Sequence, residues 1–187
     1  MRTTLNQIRA HHPCHDGWWR LLRGLNKTKP DDEPLWIDQI LDHNGLEDAL
    51  WCLRAVENCD REIRLFAVWC ARRVQHLMTD ARSVAALDVA ERYARGEASD
   101  QELEAARGLA YSSWHAKIRL GETASAASAA SAAYAAALAS APGAAAWAAA
   151  YGAAAEWAAA GADRDAERAA QADELRRICR ELREAKP

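Results

Sequence analysis

Between Thr123 and Ala155 the chain runs for 33 residues without a charged side chain; 21 of them are alanine, five are serine or threonine, and Pro142-Gly143 breaks the run. Alanine has the highest helix propensity, so such a stretch becomes helical almost unaided. It is also near neutral for membrane insertion, which Leu, Ile, Phe and Val normally drive. The stretch therefore reads as a packing element rather than a membrane span. Two alanine faces approach closely because only methyl groups separate the backbones. Tyr134 and Leu138, and Trp147 and Tyr151, are four apart and share a helical face, with Trp157 further on. The expectation is a tight helical hairpin around Pro142-Gly143, or the same contact made between two chains.

The rest of the chain carries helical signals. Asp16, Asp60 and Asp80 are candidate caps, and Ser99 with Glu102 has the spacing of a capping box. Pro34 suits a first helical turn, and Asn44-Gly45 and Gly96 are stops. Apolar residues Ile63, Phe66, Ala67, Cys70, Val74 and Leu77, at spacings of three and four, mark one stripe; Val84, Leu87, Ala90 and Tyr93 point inward on the next helix, and the helix after Ser99 carries Leu103, Ala106, Leu109, Trp114 and Ile118. Leu175, Ile178, Cys179 and Leu182 form a last one. No segment alternates with period two over strand length, so no sheet is expected. The predicted fold is an all-α bundle of short and medium helices. Composition divides it into an N-terminal helical domain (1–120) and an alanine-rich segment ending in an amphipathic helix (121–187).

With eight Trp, one Phe and two Met, tryptophan carries an unusual share of the large apolar surface. A formal net charge of −3 argues against nucleic-acid binding by bulk charge. The charge is uneven: residues 1–30 hold six Lys/Arg against one acid, and residues 31–62 hold ten acids against two arginines. That dipole either steers a charged partner or marks two solvated faces. The five cysteines follow no disulfide framework, and the N-terminus lacks the apolar stretch of a secretory signal, which together point to the cytoplasm.

No catalytic centre emerges. Ser112, Ser113 and His115 lie close together, but no motif supplies a nucleophile elbow or an acidic partner. Phosphate-loop and dinucleotide glycine patterns are absent. The run His11-His12-Pro13-Cys14-His15-Asp16 is rich in ligand types, yet Pro13 breaks it and no second Cys/His pair follows at finger spacing. A polar loop explains it as well, and neither metal nor cofactor is expected. Two groups remain as binding candidates. Trp18 and Trp19 are adjacent and point to different sides of a helix, so one can be core while the other lines a groove. Arg64, Arg72, Arg73 and His76, with Trp69 among them, either form a basic strip for a phosphate or carboxylate or pair with acids such as Asp60, Glu62 or Asp88.

Several runs carry a resemblance: Pro13-Cys14-His15-Asp16-Gly17-Trp18, Asn44 to Val56, Arg61 to Arg72, Ala85 to Glu97, and the alanine-rich tail with periodic tryptophan. Together they resemble a family of small phage and prophage proteins often labelled immunity proteins, by similarity to proteins of bacterial conflict loci. Relatives interrupt the alanine tail with Arg and Asp every few residues. Here Gly121 to Ala155 has almost lost those charges, which favours buried alanine surfaces. The resemblance implies a non-enzymatic binding protein of immunity or anti-defence type that neutralises a protein partner, a toxin or a host-defence component, through a helical surface. The alternatives are an oligomeric protein sequestering a small anionic ligand such as a signalling nucleotide, and a structural assembly protein. All three imply a homo-oligomer.

Overall fold

The computed structural model describes residues 1–120, 130, 131, 133, 134 and 162–185. The fold is all-α. The described residues form eight α-helices and one antiparallel pair of two-residue strands. Leu138, Trp147, Tyr151, Trp157 and the hairpin expected around Pro142-Gly143 lie outside the described residues. The chain divides into two compact units, Met1–Cys59 with Gln171–Pro187, and Asp60–Ala170. The compositional boundary at residue 120 marks where the alanine-rich stretch begins.

In the first unit, β1 (Arg2–Thr3) pairs with β2 (Leu35–Trp36), Arg2 opposite Trp36 and Thr3 opposite Leu35. The expectation of no sheet misses this pair, because two residues are too few to show a period of two. Around this pair lie α1 (Leu5–Ala10), α2 (His15–Gly24), α3 (Ile37–Asn44) and α4 (Leu46–Cys52). Thr4 caps α1 by accepting from the Gln7 amide at 3.1 Å. Asp16 does not cap α2: Cys14 holds the cap position without a side-chain bond, and Asp16 sits in the first turn, where its charge still favours the helix dipole. Pro34 precedes β2, and the Gln39 side chain closes the start of α3 on the Trp36 amide at 2.9 Å. Gly45, at φ 88°, ends α3 as expected of that stop. Leu5, Ile8, Leu22, Ile37, Ile40 and Leu53 form the core with Leu175 of α8 (Ala162–Glu184), whose residues from Gln171 belong to this unit. Arg176 meets Asp42 at 2.9 Å, and Arg183 meets Asp38 at 3.0 Å while its guanidinium lies 4.4 Å from the Trp36 ring centroid.

The second unit holds α5 (Asp60–Arg73), α6 (Ala81–Ala94) and α7 (Asp100–Leu120). The α5 stripe stops short of its expected length: the helix ends at Arg73, and Leu77 falls in a separate 3-10 turn, Gln75–Leu77. Asp60 lies inside the first turn of α5. Ser99 and Glu102 form the capping box: the Glu102 amide donates to Ser99 Oγ at 3.2 Å, and the Ser99 amide donates to Glu102 Oε2 at 2.8 Å. Gly96, at φ 79°, follows α6. On α7 the inward register is Leu103, Ala106, Ala110, Ser113 and Lys117. Leu109 and Ile118, expected inward, are half exposed. From Leu103 and Ala106 the inward face continues through Ala110, Ser113 and Lys117, so small or hydrogen-bonded side chains take the inner positions instead. Ser113 Oγ is bonded to Ser83 Oγ at 3.0 Å, and Lys117 Nζ donates to Thr79 Oγ1. The resulting core is dominated by alanine: Ala71, Ala86, Ala90, Ala106, Ala110 and Ala133 surround Val68, Val74, Leu87 and Leu103.

Asp80 caps α6, accepting from the Arg82 amide at 2.9 Å, and also takes the Arg82 guanidinium. Those bonds, the Arg82 side chain foremost, hold its carboxyl well below the usual carboxylate range. A carboxyl depressed by folding stabilises the fold above its unfolded pKa, and that contribution is lost as pH falls. Asp80→Ala should therefore cost about 1–2 kcal/mol at neutral pH. In thermal melts of the two proteins the gap should close progressively below about pH 4; a gap independent of pH would assign the effect to something other than this carboxylate.

Candidate functional site

In the first unit, two features converge on α2. His12 adopts a left-handed conformation at φ 55°, its amide bonded to the Arg9 carbonyl at 3.0 Å, and Pro13 then extends the chain into α2. Successive residues on the helix diverge, so Trp18 is half-buried while Trp19 is 46% exposed. Trp18 borders an open hollow of about 630 Å³ whose walls include Arg9, His12, His15, Trp19 and Lys29, with no carboxylate among the lining residues. His15 meets the Trp19 ring edge-on at 6.1 Å and the exposed Asp16 carboxylate at 3.2 Å.

The basic N-terminal segment resolves into two classes of cation. Lys27 is bound to Asp31 and Glu33, each at 2.6 Å, and Asp31 above all raises its pKa from the ordinary value. Arg9, Arg20, Arg23 and Lys29 are exposed, and none has a salt bridge among the described residues. Lys29 acts on Asp31 only through space. The charge asymmetry of residues 1–30 thus persists as an exposed cationic surface beside an exposed indole.

On its other side Trp18 borders a second, smaller cavity, between α1, α2, α3 and α4. Asn44, Asp48, Trp51 and Cys52 line it. Sequence reasoning did not single these four out as a site, because their convergence depends on the α3–α4 turn at Gly45. The only sequence signal was their spacing of three and four, which also fits an ordinary amphipathic helix.

In the second unit, the arginine strip is engaged internally. Arg72 donates through Nη2 to Asp88 at 2.6 Å and Glu91 at 2.9 Å, and through Nη1 to Gln75 at 2.9 Å. Burial opposes its charge, but the bonds to Asp88 and Glu91 outweigh burial and raise its pKa. Arg73 Nε spans both Glu167 oxygens, at 2.8 and 2.7 Å, and its guanidinium lies 4.9 Å from the Trp69 centroid. Trp69 stacks on Phe66 with centroids 6.3 Å apart. Arg64 is buried with its guanidinium 5.0 Å from the Tyr93 centroid, and burial lowers its pKa. His76 is exposed. An incoming anion would have to displace Asp88, Glu91 or Glu167.

Tyr134 stacks on Trp114 at 5.9 Å within the second unit. Ser113 is fully buried, and Ser112 Oγ donates to the Gly108 carbonyl at 2.9 Å, so both hydroxyls serve helix packing. None of the five cysteines forms a disulfide. Among the described residues, no group of three or more His, Cys, Asp or Glu is placed to hold a metal ion, and no helix is long and apolar enough to cross a membrane. Compared with protein-family models, curated proteins and solved structures, the chain matches none.

Proposed function

We propose that this chain is a non-enzymatic binding protein of immunity or anti-defence type that neutralises an acidic protein partner through the α2 face of its first unit. The observation that carries the reading is the hollow lined by Arg9, Lys29, Trp18 and Trp19, which holds no carboxylate in its walls. An exposed indole beside a half-buried one, flanked by cations without a salt bridge among the described residues, is the chemistry of an interface centre with a charged rim. The link to phage conflict rests on the family resemblance of the quoted runs. The strip around Arg72 and Arg73 lends no comparable support to an anionic small-molecule ligand, because carboxylates of the same unit already occupy it.

Affinity capture from bacterial lysate with the full chain tests the reading. Capture should weaken as salt rises from about 0.1 to 1 M, where the screening length falls from about 10 to about 3 Å. The double substitution Arg9→Glu with Lys29→Glu should abolish capture while leaving the melting temperature unchanged. Capture that ignores both salt and charge reversal would rule out an acidic partner at this face.

Self-association is a second reading, supported by Leu109, Tyr111, Ile118 and Leu120, which are 45–76% exposed on α7. Sedimentation velocity across a concentration series should then show mass rising with concentration; a constant monomer mass removes it.

A further inference from the structure

The inner cavity of the first unit has about 120 Å³ of space. That compares with the ~150 Å³ engineered cavity that takes up benzene, and it exceeds the 10–15 Å³ or so that a single water needs. Its apolar wall includes Ile8, Leu21, Ile40, Trp18 and Trp51. Its polar wall is Asn44 and Asp48.

The orientation of Asn44 fixes what that wall asks for. Asn44 Nδ2 donates to the Gly17 carbonyl and to Asp48 Oδ2, both at 2.8 Å. Both neighbours are acceptors, so the amide cannot be turned round without setting oxygen against oxygen. Asn44 Oδ1 is left buried with no hydrogen-bond partner. That oxygen has no accessible surface and so is closed off from the cavity; the acceptor the wall offers an occupant is the Asp48 carboxylate, held by the Asn44 amide.

Gly17 keeps this arrangement open. A Cβ there would lie 2.9 Å from Asp48 Oδ2 and 3.1 Å from Cys14 Sγ. At Cys52, in the wall, burial first and then the Asp48 charge push the thiol up to about 12, and Asp48 outweighs the opposing Arg54 there. Arg54 itself lies on the Trp51 ring at 4.2 Å and donates Nε to the Trp51 carbonyl at 2.8 Å.

We infer that this cavity binds a small protonated primary amine with an apolar body. The ammonium donates to the Asp48 carboxylate, which Asn44 Nδ2 holds in place in the wall. The hydrocarbon lies against Leu21 and the indoles of Trp18 and Trp51, whose faces also attract a cation. A neutral molecule of the same shape lacks the charge that Asp48 favours, and an anion is repelled by it. The inference stands independently of the protein partner proposed for the outer hollow.

Titration of the full chain with isobutylamine and benzylamine tests it, read by calorimetry and by the indole N–H resonances of Trp18 and Trp51, assigned with Trp18→Phe and Trp51→Phe. Saturable binding is expected with a Kd of about 1 mM or tighter. Isobutanol and benzyl alcohol should bind at least about tenfold more weakly, and benzoate should not bind. Asp48→Asn retains an acceptor for Asn44 and should erase the preference for amine over alcohol. Gly17→Ala should weaken both. The amine-over-alcohol ratio needs no variant, so a destabilised Asp48→Asn leaves the inference open to refutation. Amines that fail to saturate by about 10 mM, or alcohols that bind as well as amines, overturn it.

Discussion

Leu87→Ala should destabilise the second unit by about 4–5 kcal/mol, the upper end of what a buried leucine truncation costs. Leu87 is fully buried on α6, in a core where six of the ten buried residues, Ala71, Ala86, Ala90, Ala106, Ala110 and Ala133, are alanine. The cost of a large-to-small change has two parts, the lost transfer of the methyl groups and the cavity left behind. In a core of leucines, neighbours rotate and partly refill the space. Alanine has no side-chain torsion that moves a heavy atom, so the alanine part of the wall can close only by backbone movement. The loss is comparable to the whole stability of a small domain. The same packing makes the reverse change harmful: Ala90→Leu should cost about 1–3 kcal/mol through overpacking. Urea unfolding of the two variants reads both effects. A Leu87→Ala cost below about 2 kcal/mol would mean that the alanine walls collapse freely after all.

Trp19→Ala should weaken partner capture at least about 30-fold, equivalent to the roughly 2 kcal/mol that marks a hot-spot residue. Trp19 is 46% exposed, so its removal should alter the stability of the free chain by no more than about 1 kcal/mol. The separation of the two readouts is informative. Trp18 borders both the outer hollow and the inner cavity, so its truncation would mix folding with binding. Trp19 faces outward with only His15 as an aromatic neighbour among the described residues. Equal capture by Trp19→Ala and the unaltered chain would move the interface away from α2.

The helices were legible in the sequence where capping chemistry is local. Asp80, the Ser99–Glu102 pair and the stops at Gly45 and Gly96 act within four residues of their own positions, and each is found where the pattern put it. The α7 register was misread because hydrophobicity alone favoured Leu109 and Ile118. Ser113 and Lys117 displace them by hydrogen-bonding to Ser83 and Thr79 on other parts of the chain, which no local pattern reveals. The same holds for the candidate sites. The arginine strip stood out by composition, yet Arg73 finds its acid 94 residues away at Glu167. The cation surface of the first unit was visible as a charge excess, but which of its members remained unpaired depended on Lys27 taking up Asp31 and Glu33. Asn44 and Asp48 gain their meaning only when Gly17 of α2 comes against them.

Hydrogen exchange of the backbone amides, with and without the captured partner, locates the face that the partner covers. Exchange should slow over residues 9–30, the α1–α2 turn, α2 and the loop that follows, with residues 64–76 unchanged. Protection centred on residues 64–76, or none across residues 9–30, would contradict an interface at α2.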